Sequence, residues 1–313
     1  MKNTLVHWQA QHTFNPAAIV KDGKIYMLYR AEDDIGQGIG GFTSRIGLAW
    51  SSDGIHFKSR NTPVLFPAVD SQQPYEWYGG CEDPRIVCTA DGTFVMTYTQ
   101  WNRKTARLAV ATSRDLVHWK KHGPAFEQAL SGKYLNTWSK SGSIVTTLKD
   151  GKLVAAKVKG KYWMYWGEGS IGLASSSNLK DWVVVEDKEG KPLKVLDKRP
   201  GRFDSDLAEA GPAAILTTNG ILVLYNGKNS AAGGDPDIGK GAYCAGQALF
   251  SSDDPSKLIA RLDKPYFKPE KAFEKTGQYA AGTTFTEGLA YFKGKWFLYY
   301  GCADSLAGVA VCD

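Results

Sequence analysis

The chain has 313 residues, enough for one large domain with a substantial core, and its 43% apolar and 22% charged content is that of an ordinary globular protein, which excludes intrinsic disorder. The formal charge of +6 is carried by scattered lysines without a block of like charges, so it reads as a solvated surface and no nucleic-acid partner is expected. No run approaches the roughly 18 apolar residues of a membrane span, so no membrane partner is expected either.

Met1-Lys2-Asn3-Thr4 lacks an apolar run followed by a small-residue cleavage site; no secretion signal is read there, and cytoplasm and periplasm both stay open. The chain then repeats itself. Asn15-Pro16-Ala17-Ala18-Ile19 leads through an Asp22-Gly23 turn to Tyr29-Arg30, and Gly47-Leu48-Ala49 leads to Ser51-Ser52-Asp53-Gly54-Ile55-His56-Phe57. Asp83-Pro84-Arg85-Ile86 turns at Asp91-Gly92 and ends at Tyr98-Thr99; Leu108-Ala109-Val110 leads to Ser113-Arg114-Asp115-Leu116-Val117-His118-Trp119. Ser141-Gly142 opens a third copy that ends at Tyr165-Trp166-Gly167-Glu168, and Gly172-Leu173-Ala174 leads to Ser176-Ser177-Asn178-Leu179-Lys180-Asp181-Trp182. The fourth runs from Glu209-Ala210-Gly211-Pro212 through Asn219-Gly220 to Tyr225-Asn226, and Gly246-Gln247-Ala248 leads to Ser251-Ser252-Asp253-Asp254-Pro255. The fifth runs from Glu287-Gly288 through Lys293-Gly294 to Tyr299-Tyr300-Gly301, and a truncated Gly308-Val309-Ala310 closes the chain.

Asp-Gly and Asn-Gly between β-rich runs are strong hairpin signals. Five hairpin pairs at intervals of roughly 60 to 75 residues predict an all-β, five-bladed β-propeller in a single domain over 1–313. The last unit supplies only inner strands, so Leu5 to Trp8 are expected to add the missing outer strand and close the ring. The two turn signals Asp150-Gly151 and Lys159-Gly160 in the third unit imply a bulge or an inserted hairpin. Phe57, Trp119 and Trp182 recur at equivalent positions, as core residues between blades would. The five cysteines lack CxxC spacing and the five histidines lack metal-ligand spacing, so neither zinc, a disulfide framework nor any cofactor is expected. Ten Trp and fifteen Tyr exceed what a core requires, and exposed rings of this kind stack on sugar faces.

In an antiparallel hairpin the start of the first strand lies beside the end of the second. In a propeller the first strands line the channel, so these polar ends should meet on one face: Asn15 with Arg30, Glu82 and Asp83 with Gln100, Lys140 and Ser141 with Glu168, Glu209 with Asn226, and Glu287 with Asp304. Arg45, just before a third strand, should reach the same rim. Each carboxylate beside an arginine could equally be a salt bridge that holds blades together. Several converging in one funnel suit glycosyl transfer, where one acid protonates the leaving oxygen and a second activates water or attacks the sugar.

Gly79-Gly80-Cys81-Glu82-Asp83-Pro84-Arg85, Phe14-Asn15-Pro16-Ala17, Tyr29-Arg30-Ala31-Glu32-Asp33, Ser44-Arg45-Ile46-Gly47-Leu48-Ala49 and Tyr300-Gly301-Cys302-Ala303-Asp304 resemble glycoside hydrolase family 130, and the likeness covers nearly the whole chain. The resemblance implies a five-bladed propeller acting on a small β-mannoside, with Asp83 as general acid through the 3-hydroxyl of the mannose. It places Asn15, Arg30, Arg45 and Asp304 around that mannose, with Glu82 and Arg85 of the Glu-Asp-Pro-Arg element and Glu287 as further substrate contacts. Phosphorylases of the family commonly show His-Arg-Pro where this chain has Trp166-Gly167-Glu168, a Lys near Glu209, a His in place of Asn226 and an Arg in place of Cys244. Those cations make a phosphate site, whereas like charges about 4 Å apart repel by about 4 kcal/mol at an effective dielectric near 20.

A carboxylate pair there is what an inverting hydrolase uses to deprotonate water, as in the family's β-1,2-mannoside hydrolases. The expectation is an inverting exo-β-mannosidase, by that likeness for β-1,2-mannosides, with Glu168 and Glu209 activating water; Glu287 is a third candidate for that pair and equally a candidate substrate ligand. The alternatives are phosphorolysis with Arg85, Arg103 or Lys140 as the anion site, a carbohydrate-binding propeller without turnover, and the arabinan- or fructan-cleaving propellers, against which the Glu-Asp-Pro-Arg context argues. Linkage and oligomeric state are not legible.

Overall fold

The structure is a computed structural model that describes residues 7–33 and 40–312. It is nearly all β. Among the described residues the strands form five successive antiparallel units. The first comprises β1 (His12–Lys21), β2 (Lys24–Glu32), β3 (Ser44–Ser51) and β4 (Lys58–Ser59), and the second β5 (Gly80–Cys88), β6 (Phe94–Trp101), β7 (Ala106–Ser113) and β8 (Lys120–Pro124). The third holds β9 (Gly142–Lys149), β10 (Lys152–Ala155), β11 (Lys157–Val158), β12 (Lys161–Trp166), β13 (Ile171–Ser176), β14 (Val183–Val184) and β15 (Lys194–Leu196). The fourth holds β16 (Leu207–Ala210), β17 (Ala214–Thr217), β18 (Gly220–Lys228), β19 (Tyr243–Phe250) and β20 (Leu258–Arg261). The fifth holds β21 (Thr284–Phe292), β22 (Lys295–Cys302) and β23 (Leu306–Cys312). One four-residue helix, α1 (Gln73–Glu76), precedes β5.

Local chemistry explains the repeats. Asp22 and Gly23 both take positive φ, +48° and +69°, the backbone that a two-residue hairpin turn demands. The Ser-x-Asp turns after each third strand are hydrogen-bonded loops. The Ser51 hydroxyl accepts from the Asp53 and Gly54 amides, and the Asp53 carboxylate accepts from those of Ile55 and His56. Ser113 with Asp115 and Ser176 with Asn178 repeat the pattern.

The core lies between consecutive units. Ile19 and Leu28 pack with Ile86 and Met96 at the first junction; Val87 and Val110 pack with Ile144, Trp166 and Trp182 at the second. Val145 and Tyr165 meet Ala208 and Phe250 at the third. Unit five returns to unit one through Phe292, Phe297 and Tyr299 against Ala18, Met27 and Tyr29. Between units four and five, the Asn226 side chain bonds the Thr286 backbone in both directions, at 2.7 and 3.1 Å. Trp182 is fully buried, the inter-unit role expected for it, and emptying its site to alanine would cost about 3–5 kcal/mol. Phe57 and Trp119 are only partly buried against their clusters.

One expectation changes and another is decided between its two options. Leu5 and Val6 lie outside the described residues, and His7–Gln9 is a 3₁₀ turn, not a strand. Trp8 packs its indole on Tyr29 with ring centroids 6.3 Å apart, and its Nε1 donates to the Asn61 carbonyl. Burying that ring against β2 is incompatible with running Trp8 along β23, which pairs with β22 alone among the described strands. The third unit does contain an inserted hairpin: the far half of β9 pairs with β10 through Asp150-Gly151, and the near half pairs with β12. Glu168 therefore stays beside the start of β9, with the Gly167 amide donating to the Lys140 carbonyl at 2.9 Å.

Candidate active site

The register brings strand starts beside second-strand ends: Phe14 opposite Arg30, Cys81 opposite Gln100, Gly142 opposite Trp166 and Glu209 opposite Asn226. At the first two of these starts, and at the start of β21, the ladder carries a bulge. The register breaks between Phe14 and Pro16, between Glu82 and Arg85, and between Thr286 and Gly288, which leaves Asn15, Asp83 and Glu287 out of the pairing. A bulge turns an extra side chain out of the sheet's alternation, and here all three turn into one polar cluster. Asn15 and Asp83 hold left-handed backbones, φ +49° and +47°, as do Ser141 at +55° and Asp304 at +51°. A non-glycine residue in that region costs about 1–3 kcal/mol, so the surrounding packing enforces it.

Asp83 is the hub. Its Oδ1 accepts from Asn15 Nδ2 at 2.9 Å and from Arg30 Nη1 at 3.3 Å, and its Oδ2 lies 3.7 Å from Lys140 Nζ. Burial alone would raise its pKa, but Arg30, Lys140, the Asn15 bond and Arg85 prevail and hold the carboxyl well below the usual range. Arg30 also bridges Glu32 at 2.7 Å and Glu82 at 2.9 Å, and donates from Nε to Ser44 Oγ at 3.0 Å. Glu82 is pushed up to about 7, chiefly by burial and further by Asp83 beside it, with Arg30 opposing. Asp304 is raised to about 6, again mainly by burial.

On the other side Lys140 faces Glu168, Asp83, Glu209 and Glu82. Burial alone would favour the neutral amine, but those four carboxylates raise its pKa and keep it charged. Glu168 accepts from Trp138 Nε1 at 2.7 Å. Glu209 is buried, accepts from the Ser141 hydroxyl, and is pushed up to about 7 by burial and by Glu168. Arg85 Nη1 lies 3.0 Å from Glu287 Oε1 without the alignment of a hydrogen bond, and neither oxygen of this buried carboxylate has a hydrogen-bond donor among the described residues. Burial first, then Asp83 and Glu209, drives the Glu287 pKa well above the ordinary value. Among the described residues, seven carboxylates (Glu32, Glu82, Asp83, Glu168, Glu209, Glu287 and Asp304) thus crowd around Arg30, Arg85 and Lys140.

Asn15, Arg30, Glu82, Asp83, Arg85, Glu168, Glu209, Glu287 and Asp304 therefore belong to one electrostatic network. Arg45 stands a strand further out. Its guanidinium pairs with Asp33 at 2.9 Å and reaches the Thr43 carbonyl. Arg103 lies away from the carboxylates, bonded to the Gly41 carbonyl and over the Tyr78 ring. The sequence reading missed three partners: Glu32, Gln278 and Trp138. Glu32 was legible, two residues after Arg30 and so on the same strand face. Gln278 links the Glu32 carboxylate (2.9 Å) to the Asp304 carbonyl (2.7 Å) from an irregular segment that no local pattern marks. No group of three or more His, Cys, Asp or Glu among the described residues is arranged to hold a metal ion, and no described helix is long and apolar enough to cross a membrane.

A ring of β units that crowds acids against a few buried cations at one set of strand ends is the equipment of an enzyme that transfers glycosyl groups. Comparison with known proteins narrows the class. The family described as beta-1,4-mannooligosaccharide phosphorylase, glycoside hydrolase family 130, matches residues 2–313, and the chain belongs to it. A 1,2-beta-oligomannan phosphorylase of Thermoanaerobacter sp. (strain X514) is 32% identical over 98% of this chain and 91% of its own length. Among solved structures, a GH130 protein from work describing hydrolases that target beta-1,2 mannosidic linkages in Candida mannan is 56% identical, with a TM-score of 0.97 over 98% of this chain and 85% of that one. A glycosyl hydrolase from Bacteroides ovatus is 55% identical, with a TM-score of 0.96 over 98% and 85%.

Proposed function

We propose that the five units are the blades of a five-bladed propeller forming one domain over 1–313, and that the protein is an inverting exo-β-mannosidase acting on β-1,2-linked manno-oligosaccharides. Asn15, Arg30 and Asp304, with Arg45 at the rim, grip the terminal mannose, assisted by Glu82, Arg85 and Glu287. The Glu82–Asp83 pair titrates as a unit and supplies the proton that leaves with the glycosidic oxygen, Asp83 passing it through the sugar's 3-hydroxyl. Glu168 and Glu209 hold water on the opposite face and take its proton as the C–O bond forms.

One observation carries this reading: the groups facing Lys140 are carboxylates, Glu168 and Glu209 among them. A phosphate dianion entering there would meet like charge on both sides, at about 4 kcal/mol per pair at 4 Å and an effective dielectric of 20. The three cations offered for an anion site are engaged, Lys140 by the four carboxylates it faces, Arg85 by Glu287 and the Ala210 and Gly211 carbonyls, and Arg103 by the Gly41 carbonyl. The likeness to the hydrolase-bearing structures supports the same side. The test is incubation with β-1,2-mannobiose in the presence and absence of phosphate. Free mannose in both is the expected product; mannose 1-phosphate formed only with phosphate would overturn hydrolysis. Binding without any product would favour a carbohydrate-binding role.

A further inference from the structure

Trp138 belongs to none of the apolar clusters and is 49% exposed, yet it is held in place from three directions. Its Nε1 donates to Glu168 Oε2 at 2.7 Å. Its ring meets the edge of Trp101, with centroids 5.6 Å apart, and Trp101 is itself tied to the Gly40 carbonyl. The next residue, buried Ser139, is pinned to β7: its amide donates to the Ala106 carbonyl and its hydroxyl accepts from the Leu108 amide, both at 3.0 Å. A half-exposed indole fixed this firmly contributes little to the core and presents a rigid apolar face at the edge of the carboxylate cluster.

The burial gradient says which sugar that face would meet. Asn15, Arg30, Asp83 and Glu209 are each less than a tenth exposed and form the closed end of the site, which suits a terminal sugar. Trp138 stands at the open end, one hydrogen bond from Glu168. Resting on the hydrolytic reading above, we infer that Trp138 is both the stacking platform for the leaving-group mannosyl residue and the residue that positions Glu168. Aromatic rings combine a large apolar area with low conformational entropy, and the indole N–H occupies one carboxylate oxygen, leaving the other for water.

Two variants separate the roles. Trp138→Leu removes the ring; β-1,2-mannobiose should bind about tenfold more weakly while mannose affinity stays within about twofold, both read by titration calorimetry. Trp138→Phe keeps a ring but removes the donor. Mannobiose affinity should hold within about twofold while kcat falls about tenfold, a split that loss of packing alone would not produce. Equal weakening of mannose and mannobiose, or of neither, in the leucine variant overturns the platform. An unchanged kcat in the phenylalanine variant, or a kcat that falls only together with affinity, overturns the positioning role. If the native protein makes mannose 1-phosphate only with phosphate, hydrolysis and the positioning role fall together, while the two affinities still decide the platform.

Discussion

Asp83 and Glu209 lie in one network, within the field of the same Lys140, yet their surroundings drive them in opposite directions. Asp83 receives two side-chain hydrogen bonds, one from Asn15 and one from the Arg30 guanidinium, and stays ionised. Glu209 receives one from a neutral hydroxyl and repulsion from Glu168, and is pushed up to about 7. In the proposed mechanism Asp83 therefore relays the proton that Glu82, raised to about 7 beside it, holds, while Glu209 is a base whose proton affinity is matched to neutral pH. Asp83→Asn preserves the shape and the Arg30 contact but cannot carry the proton. It should lower kcat on β-1,2-mannobiose by about 10²–10⁴-fold while ligand affinity persists, with an unfolding midpoint near the native one to show that the fold is intact. Turnover within threefold of native would remove Asp83 from the chemistry.

The bulged strand starts explain two glycines whose roles differ. A Cβ on Gly301 in β22 would come within 2.0 Å of Asn15 Oδ1, the end of a movable side chain. Gly301→Ala should therefore cost under about 1 kcal/mol of stability but swing Asn15 off Asp83, and activity should fall about tenfold or more. A Cβ on Gly288 in β21 would meet backbone instead, Pro16 O at 2.5 Å and Ala18 N at 3.1 Å, where β21 approaches β1. Backbone cannot swing aside, so Gly288→Ala should destabilise by about 1–3 kcal/mol, read as a lower denaturation midpoint in urea. Equal stabilities for the two variants would refute this distinction. The strand pairs, turns and converging polar ends were legible because hairpin turns and alternation are local signals. The bulges were written only as a polar residue before Pro or Gly, as in Asn15-Pro16, Asp83-Pro84 and Glu287-Gly288, which also reads as an ordinary strand start. The outer strand assigned to Leu5–Trp8 was inferred from ring symmetry, and the local burial of Trp8 on Tyr29 took precedence over it.

At the scale of the whole molecule, the return of unit five onto unit one concentrates acids from every unit into one buried cluster, and its charge becomes a term in global stability. Glu82 and Glu209 are raised to about 7 and Asp304 to about 6, against about 4 for an unfolded carboxylate. The folded state therefore binds more protons than the unfolded state between about pH 4 and 7. Their contribution is fully present below the unfolded pKa and is lost as pH rises through the folded one. His12 and His122, lowered chiefly by burial, act oppositely just below the ordinary histidine value, gaining stability as pH rises towards it. Comparing native protein with Glu209→Gln cancels the histidines and isolates one acid. The variant cannot ionise, so its unfolding midpoint relative to native should rise from pH 5 to pH 8, by about 2–4 °C for each kcal/mol that Glu209 forfeits on ionising. A midpoint difference that is constant or falls across that range would mean that Glu209 is already charged at pH 5, and that the crowding of acids around Lys140 does not raise its proton affinity.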